Sequence, residues 1–457
     1  MLAAMAWRNL SRNPRRSILT GAAVVFGVVL CSWMKGLNDG AYAQLVDRAV
    51  RTGLGHVQVL PRGYADDPDP ERVIARGDAV AARLRRIPHV TGVSRRARAD
   101  AILTRDSETA PVEILGVEPV PEASVSRVPG DVMRGSSAVG WCRREMGRAL
   151  DLLGGDRRLF DRWCRASGEG SFLPVDNSRG IVLGSGVART LLVSVGDELT
   201  VQVARAVGEP GQEGREAGSL SQRRLVVTGI VHTGGAEIDD RFAYVHLGTL
   251  TAMLGTSGPN EIVAVLDDIR HLDRARSAAV DAFSRERSVE VSAWDERNPA
   301  LASLMRIDTN NNNVVYFILC LLISLGVVNA TLMSVLERTK EFGVVLALGA
   351  RPAPVFGLVM TEVAMLGALS IGVGGLLAGS LELFGRIHGW PLEWLGAGDY
   401  QGIDVAGVTY ESVYYSMLTP TAAAVILGGA YVMFLLAGLF PAIRASRLRP
   451  VEAMRTR

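Results

Sequence analysis

Lysine is almost missing from this chain. Lys35 and Lys340 are its only two, so nearly all its positive charge is arginine, a bias from which no function follows. No GxxxxGK[ST] loop is present to cradle a nucleotide phosphate, so any ATP hydrolysis is expected in a separate polypeptide. Nor is there an HExxH helix for zinc or a GxSxG elbow for a nucleophilic serine. The six histidines are scattered and the cysteines have no metal spacing, so neither catalytic residues nor metal ligands are expected. The run from Gly184 to Gly186 follows a strand-like IVL but lacks the long glycine pattern of a phosphate loop. A net charge of +2, without a dense basic stripe outside the membrane flanks, excludes nucleic acid as a partner.

Apolar residues are abundant: 48% of the chain, with a mean hydropathy of +0.21. Residues 18–34 contain no charge and would span about 26 Å as a helix, nearly a hydrocarbon core. The rival reading is a signal peptide, since arginines precede the run and Ala41, Tyr42 and Ala43 resemble a cleavage site. Against it, Lys35, Asn38 and Asp39 separate the run from that site, and retention is expected. Further apolar runs cover residues 314–336, 355–384 and 421–440, the first of them preceded by the polar run 310–313.

Four spans put both termini on one side. Residues 1–17 hold Arg8, Arg12, Arg15 and Arg16 and no acid, and residues 441–457 hold five arginines against Glu452, so both ends are expected in the cytoplasm. The net-negative loop 385–420 then lies outside, the loop 337–354 inside, and residues 35–313 form an extracytoplasmic domain. Trp7 with Arg8, Arg12, Arg15 and Arg16 suits a helix lying in the lipid interface; a charged flank that merely fixes topology is the plainer alternative.

The expected fold is thus membrane α-helical, four transmembrane helices, with a large mixed α+β domain between the first and second. HVQVL, VEILGV, IVLGSG, ELTVQV, RRLVVTGIV and FAYVHL read as strands, and VIARGDAVAARLRRI as an amphipathic helix. Residues 119–177 break this rhythm with two helix-like stretches and read as an inserted subdomain, while residues 207–222 read as an exposed hairpin tip or loop. Cys142 and Cys164 either form a disulfide in an oxidising compartment or remain two partly buried thiols. In the third span, Gly375 and Gly379 form a GxxxG pair that packs helices in an oligomer or against the fourth span. Glu362, near the cytoplasmic end of that span, suits a bond to a neighbouring helix or the loop better than a proton path.

Residues 329–362 read NATLMSVLERTKEFGVVLALGARPAPVFGLVMTE. This resembles the FtsX-like, MacB-type permease family of ABC transporters, whose members carry ERTxEFGxxxALGA between their second and third membrane helices. The ends, AWRNLSRNPRRSILT and FPAIRASRLRPVEAMRTR, are similar to that family too. Within it, IVLGSGVARTLLVSVGDELTV, LVVTGIVHTGGAEIDDRFAYVHLGTLTAMLG and VSAWDERNPALASLMRID resemble the outer domains of the lipoprotein-releasing permeases LolC and LolE; residues 119–177 depart from the pattern.

The resemblance implies an inner-membrane permease, without a cofactor of its own, whose partner is an ABC ATPase that binds ATP and Mg. The coupling element would comprise Glu337, Arg338, Thr339, Lys340, Glu341, Phe342, Gly343, Leu346, Leu348, Gly349 and Ala350, with Phe342 and Leu346 as apolar anchors. It further implies a second permease copy or a related permease, and work on a lipoprotein in the outer leaflet. The alternatives are MacB-like efflux of periplasmic drugs or peptides, and FtsX-like signalling to a cell-wall hydrolase.

Overall fold

In the computed structural model the chain divides into two compact units, residues 1–44, 304–400 and 412–457 in one and 45–303 and 401–411 in the other. The structure describes residues 5–6, 8, 14–147, 156–175, 177–207, 216–348, 351–395, 404–405, 408–409 and 413–448. Chain order runs α1 (Pro14–Ala49), β1 (Val57–Pro61), α2 (Gly77–Leu84), β2 (Val90–Arg105), β3 (Glu108–Val117), α3 (Pro119–Val125), α4 (Gly135–Glu145), α5 (Arg157–Ser167), β4 (Gly180–Gly184), α6 (Ser185–Leu191), β5 (Glu198–Val207), β6 (Glu216–Val231), α7 (Ala236–Arg241), β7 (Phe242–His246), α8 (Leu247–Leu254), β8 (Glu261–Leu266), α9 (Leu272–Phe283), β9 (Val289–Ala293), α10 (Pro299–Glu337), α11 (Thr339–Ala347), α12 (Pro352–His388) and α13 (Pro420–Ser446).

The first unit is built on α1, α10, α12 and α13, each long and apolar enough to cross a membrane. Val24 and Val28, Val327, Val363 and Ile371, and Phe434 and Ala437 bring all four helices into one apolar cluster. Glycine sets the closest approaches. A Cβ on Gly367 would lie 2.7 Å from Phe434, and one on Gly438 2.6 Å from Val363, so α12 and α13 touch where neither can carry a side chain. Gly375 faces Leu427 of α13, whereas a Cβ on Gly379 would meet no described atom within 4 Å. Among the described residues, therefore, only the first member of the GxxxG pair packs against a neighbouring helix.

α1 and α10 outrun their apolar stretches. The 39 residues of α10 reach about 58 Å, against about 30 Å of hydrocarbon core. Residues 35–49 and 299–313, expected to belong to the domain, are instead continuing helix, and the asparagines at 310–313 lie inside α10. Several polar residues there have partners: Asn38 donates to the Tyr316 hydroxyl at 3.1 Å, Tyr42 to Asp308 at 2.6 Å, and Lys35 pairs with Asp39.

The second unit holds a mixed nine-stranded sheet in the order β3-β7-β4-β6-β5-β2-β8-β1-β9. Because β3 also pairs with β2, the strands β2, β3, β7, β4, β6 and β5 close into a ring, and β8, β1 and β9 extend from it. β3–β7 and β4–β6 are parallel pairs and the rest antiparallel. β2 belongs to both parts, pairing with β8 through its first half and with β3 and β5 through its second. Its sequence, VTGVSRRARADAILTR, hides this role, because alanines and arginines stand where strands usually carry β-branched residues.

Two cores follow. The ring encloses Ala97, Ala99, Ala101 and Leu103 with Ile181, Val201 and Val245, whereas α2 and α9 cover the extension through Leu84 and Phe283. The described residues of 119–177 do not pack as a separate subdomain. Trp141, Cys142 and Met146, with Phe160 and Cys164 of α5, share the ring's own core. β5 and β6 form a hairpin whose tip, 208–215, lies outside the described residues.

Candidate functional site

The connection between α10 and α12 gathers most of the residues singled out by the family motif. Arg338 leaves helical geometry (φ −102°, ψ 14°), which ends α10 and starts α11. Thr339 returns its hydroxyl to the carbonyls of Val335 and Leu336, at 3.1 and 2.8 Å. The Arg338 guanidinium reaches three ways: to Glu341 at 3.0 Å, to Glu362 of α12 at 3.3 Å, and over the Phe342 ring at 5.0 Å. Glu362 thus bonds to the loop.

Phe342 is only 4% exposed, enclosed by Val335, Val355, Val359, Ala442 and Ala445, with Leu346 packed against the same cluster. That corrects the expectation for Phe342, which anchors α11 to its own chain with Gly343 buried beside it, whereas Leu346 is half-buried against the same cluster. The opposite stripe, Glu341, Val344, Val345 and Leu348, faces outward at helical i, i+3, i+4, i+7 spacing, with Leu348 83% exposed. Glu337 and Lys340 are exposed beside it. Val344 and Val345 escape a motif reading, although their spacing from Glu341 and Leu348 was the available signal. Gly349 and Ala350 lie outside the described residues.

Of the expected interfacial residues, Arg8 and Arg15 are exposed, Trp7 and Arg12 lie outside the described residues, and Arg16 lies in α1 with its side chain not described. Between α1 and α12 runs an apolar groove lined by Ile18, Val25, Phe26, Leu366, Val373 and Leu377.

In the α+β unit Cys142 and Cys164 are joined in a disulfide, Cα–Cα 5.4 Å, which ties α4 to α5. Arg96 and Glu122, each 1% exposed at the side chain, form a bidentate pair with contacts of 3.0 and 2.6 Å; Ser94 adds a hydroxyl to Glu122, and Arg96 also donates to the Gly53 carbonyl. Burial opposes the Arg96 charge, but Glu122 and Glu261 outweigh it and hold its pKa above the ordinary value. His56 is buried at the start of β1, where desolvation pushes its pKa down to about 4.

Two histidine groupings emerge that sequence spacing could not reveal. Ser185, His232 and Asp239 lie together, but hydroxyl and carboxylate both face the same ring nitrogen, Nδ1, at 3.0 and 2.9 Å. A relay needs the two opposite nitrogens. Asp239 is occupied instead in holding the turn at Thr233 and Gly234. The hydrogen bond from His232 to Asp239 raises the histidine pKa. The second grouping, His89, Asp267 and His271, corrects the reading of the histidines as scattered: their ligand atoms all lie within 4.8 Å of one another.

Comparison with known proteins places both units. The family model of the MacB-like periplasmic core domain matches residues 17–282, and that of the FtsX-like permease C-terminal matches residues 313–450. The lipoprotein-releasing system transmembrane protein LolC of Xylella fastidiosa is 29% identical over 285 residues, 60% of this chain and 64% of that protein. The macrolide export ATP-binding/permease protein MacB of Nitrobacter winogradskyi is 25% identical across 98% of this chain, which covers 59% of it. LolC of Neisseria meningitidis is 23% identical over 98% of this chain and 96% of its own length.

Proposed function

Since the chain belongs to the FtsX-like, MacB-type family of ABC transporter permeases, we propose that it couples ATP hydrolysis in a partner ATPase to the release of lipoproteins from the inner membrane. The observation that carries the coupling is α11. A short helix is pinned inside its own bundle by Phe342 and Arg338 while it offers Val344, Val345 and Leu348 outward. An apolar edge rimmed by Glu337, Lys340 and Glu341 suits a groove on a protein partner.

The proposed topology sets both termini and α11 in the cytoplasm, where the arginine-rich ends belong by the positive-inside rule, and the α+β unit outside. A second copy or a related permease completes the assembly. Closure of the ATPases moves α11 and with it the helices that enter the external unit, so that work is done outside without a continuous pore. Lipoprotein is a fitting load. At about 0.8 kcal/mol per methylene, one sixteen-carbon chain is held in the bilayer by about 12 kcal/mol, so a lipoprotein with several chains does not leave unaided. The groove between α1 and α12 offers an apolar wall for such a chain. Similarity to LolC supports this reading; the match to a macrolide exporter across 98% of the chain supports efflux of a periplasmic drug or peptide as the second.

The test is ATP hydrolysis by the chain and its ATPase in nanodiscs, with and without a triacylated lipoprotein. Stimulation that needs the acyl chains and disappears in Leu348→Glu is the expected result. Stimulation by a macrolide or peptide instead selects efflux, and no complex with an ATPase overturns the coupling role of α11. Leu348 is the better probe than Glu341, whose replacement also disturbs Arg338.

A further inference from the structure

We propose that His89, Asp267 and His271 form a binding site for a divalent transition-metal ion of the zinc type, which clips the turn before β2 to the turn after β8. His89 Nδ1 lies 3.0 Å from one oxygen of Asp267, and His271 Nδ1 lies 2.9 Å from the other, so two imidazole edges converge on a single carboxylate. Ligands that share an ion at about 2.0–2.2 Å stand roughly 3–4 Å apart, and these spacings fit. Two imidazoles and a carboxylate select zinc-like ions over magnesium or calcium, which prefer all-oxygen sites. The rings stack with centroids 3.6 Å apart and planes at 20°, so they fan apart about their Cβ–Cγ bonds as the ion replaces the two N–H···O bonds. The cluster is exposed, which leaves water to complete the coordination.

The backbone already holds the ligands in place. Asp267 N donates to the His89 carbonyl at 3.0 Å, and the neighbouring Val90 pairs with Leu266 across β2 and β8. His271 follows Asp267 by one turn, and the adjacent Asp268 is taken up by Arg270, with contacts of 2.6–3.0 Å, leaving Asp267 to the histidines. His89 itself sits at φ +71°, a left-handed conformation that is sterically costly for most side-chain-bearing residues. A histidine kept there against that cost points to a role for its ring.

The experiment uses the full-length, untagged chain in nanodiscs, stripped with a chelator and titrated with zinc by calorimetry. A single zinc should bind per chain. His89→Asn, which tolerates the positive φ, and His271→Gln should each weaken binding about tenfold or more, while His232→Gln, at the histidine–carboxylate contact elsewhere in the same unit, should leave it unchanged. Zinc that binds the first two variants as tightly as the parent, that is lost with His232, or that fails to bind the parent overturns the proposal.

Discussion

In the four-helix unit many large apolar residues face outward, Leu376 being 78% exposed, while valine, alanine and glycine set the close contacts around Ile371 and Phe434 in the middle; in the α+β unit leucine and isoleucine are inside and arginine reaches the core. α10 is the extreme case, with 6% of its most apolar window buried against 33% for α1 and α12. The contrast reflects two solvents. Where lipid surrounds a helix, burying leucine gains little, and contact depends on small residues that let backbones meet. Where water surrounds a sheet, burial drives the fold, and even a fully buried ion pair persists if every lone pair is used.

The comparison can be broken on either side. The largest effect is expected from Glu122→Ala, which strands the Arg96 guanidinium in the core of the α+β unit. Thermal unfolding should register a loss of about 3–5 kcal/mol, and the double variant Arg96→Met, Glu122→Leu should regain much of it. Unchanged stability in Glu122→Ala would mean that the pair does not hold the core. Next is His56, whose neutral ring is the one the fold buries. With a folded pKa of about 4 against an ordinary 6.5, the unfolded chain holds the extra proton between those values. Stability should therefore fall by about 3 kcal/mol as pH drops from 6.5 to 4, and His56→Gln should flatten that slope. Smaller again is Gly438→Ala in the lipid-type unit. Its Cβ would press on Val363 and should cost about 1–3 kcal/mol in detergent unfolding, whereas Gly379→Ala, in open space, should cost almost nothing.

The sequence makes the lipid side of this contrast legible and obscures much of the other. Four long apolar runs, three of them uncharged and the third carrying only Glu362 and Glu382, announce four helices because hydrocarbon tolerates little else. Their true lengths do not show, since the turns beyond them are polar and are held by specific bonds such as Tyr42 to Asp308. β2 is hidden by arginines whose partners, Glu113, Glu118, Glu122 and Glu261, come from elsewhere in the chain. In the motif loop, residue types fix that α11 exists but not which face it keeps; only the packed ends of α10, α12 and α13 assign Phe342 inward and Val344 outward. The histidine cluster is further out of reach, because His89 and Asp267 are 178 residues apart and meet only once β2 pairs with β8.

Arg338 gives the loop its mechanical character. With one guanidinium bonded to α11, to α12 and to the ring of Phe342, the corner has no slack. On the proposed coupling role, a push on α11 would be divided between two levers, α10 through the chain and α12 through the ion pair with Glu362. If α11 is the coupling element, replacing that arginine by a neutral side chain would leave Phe342 and its apolar neighbours to hold α11 and turn a rigid bracket into a looser joint, so that a stroke delivered at one end would be partly spent in the corner before it reached the other.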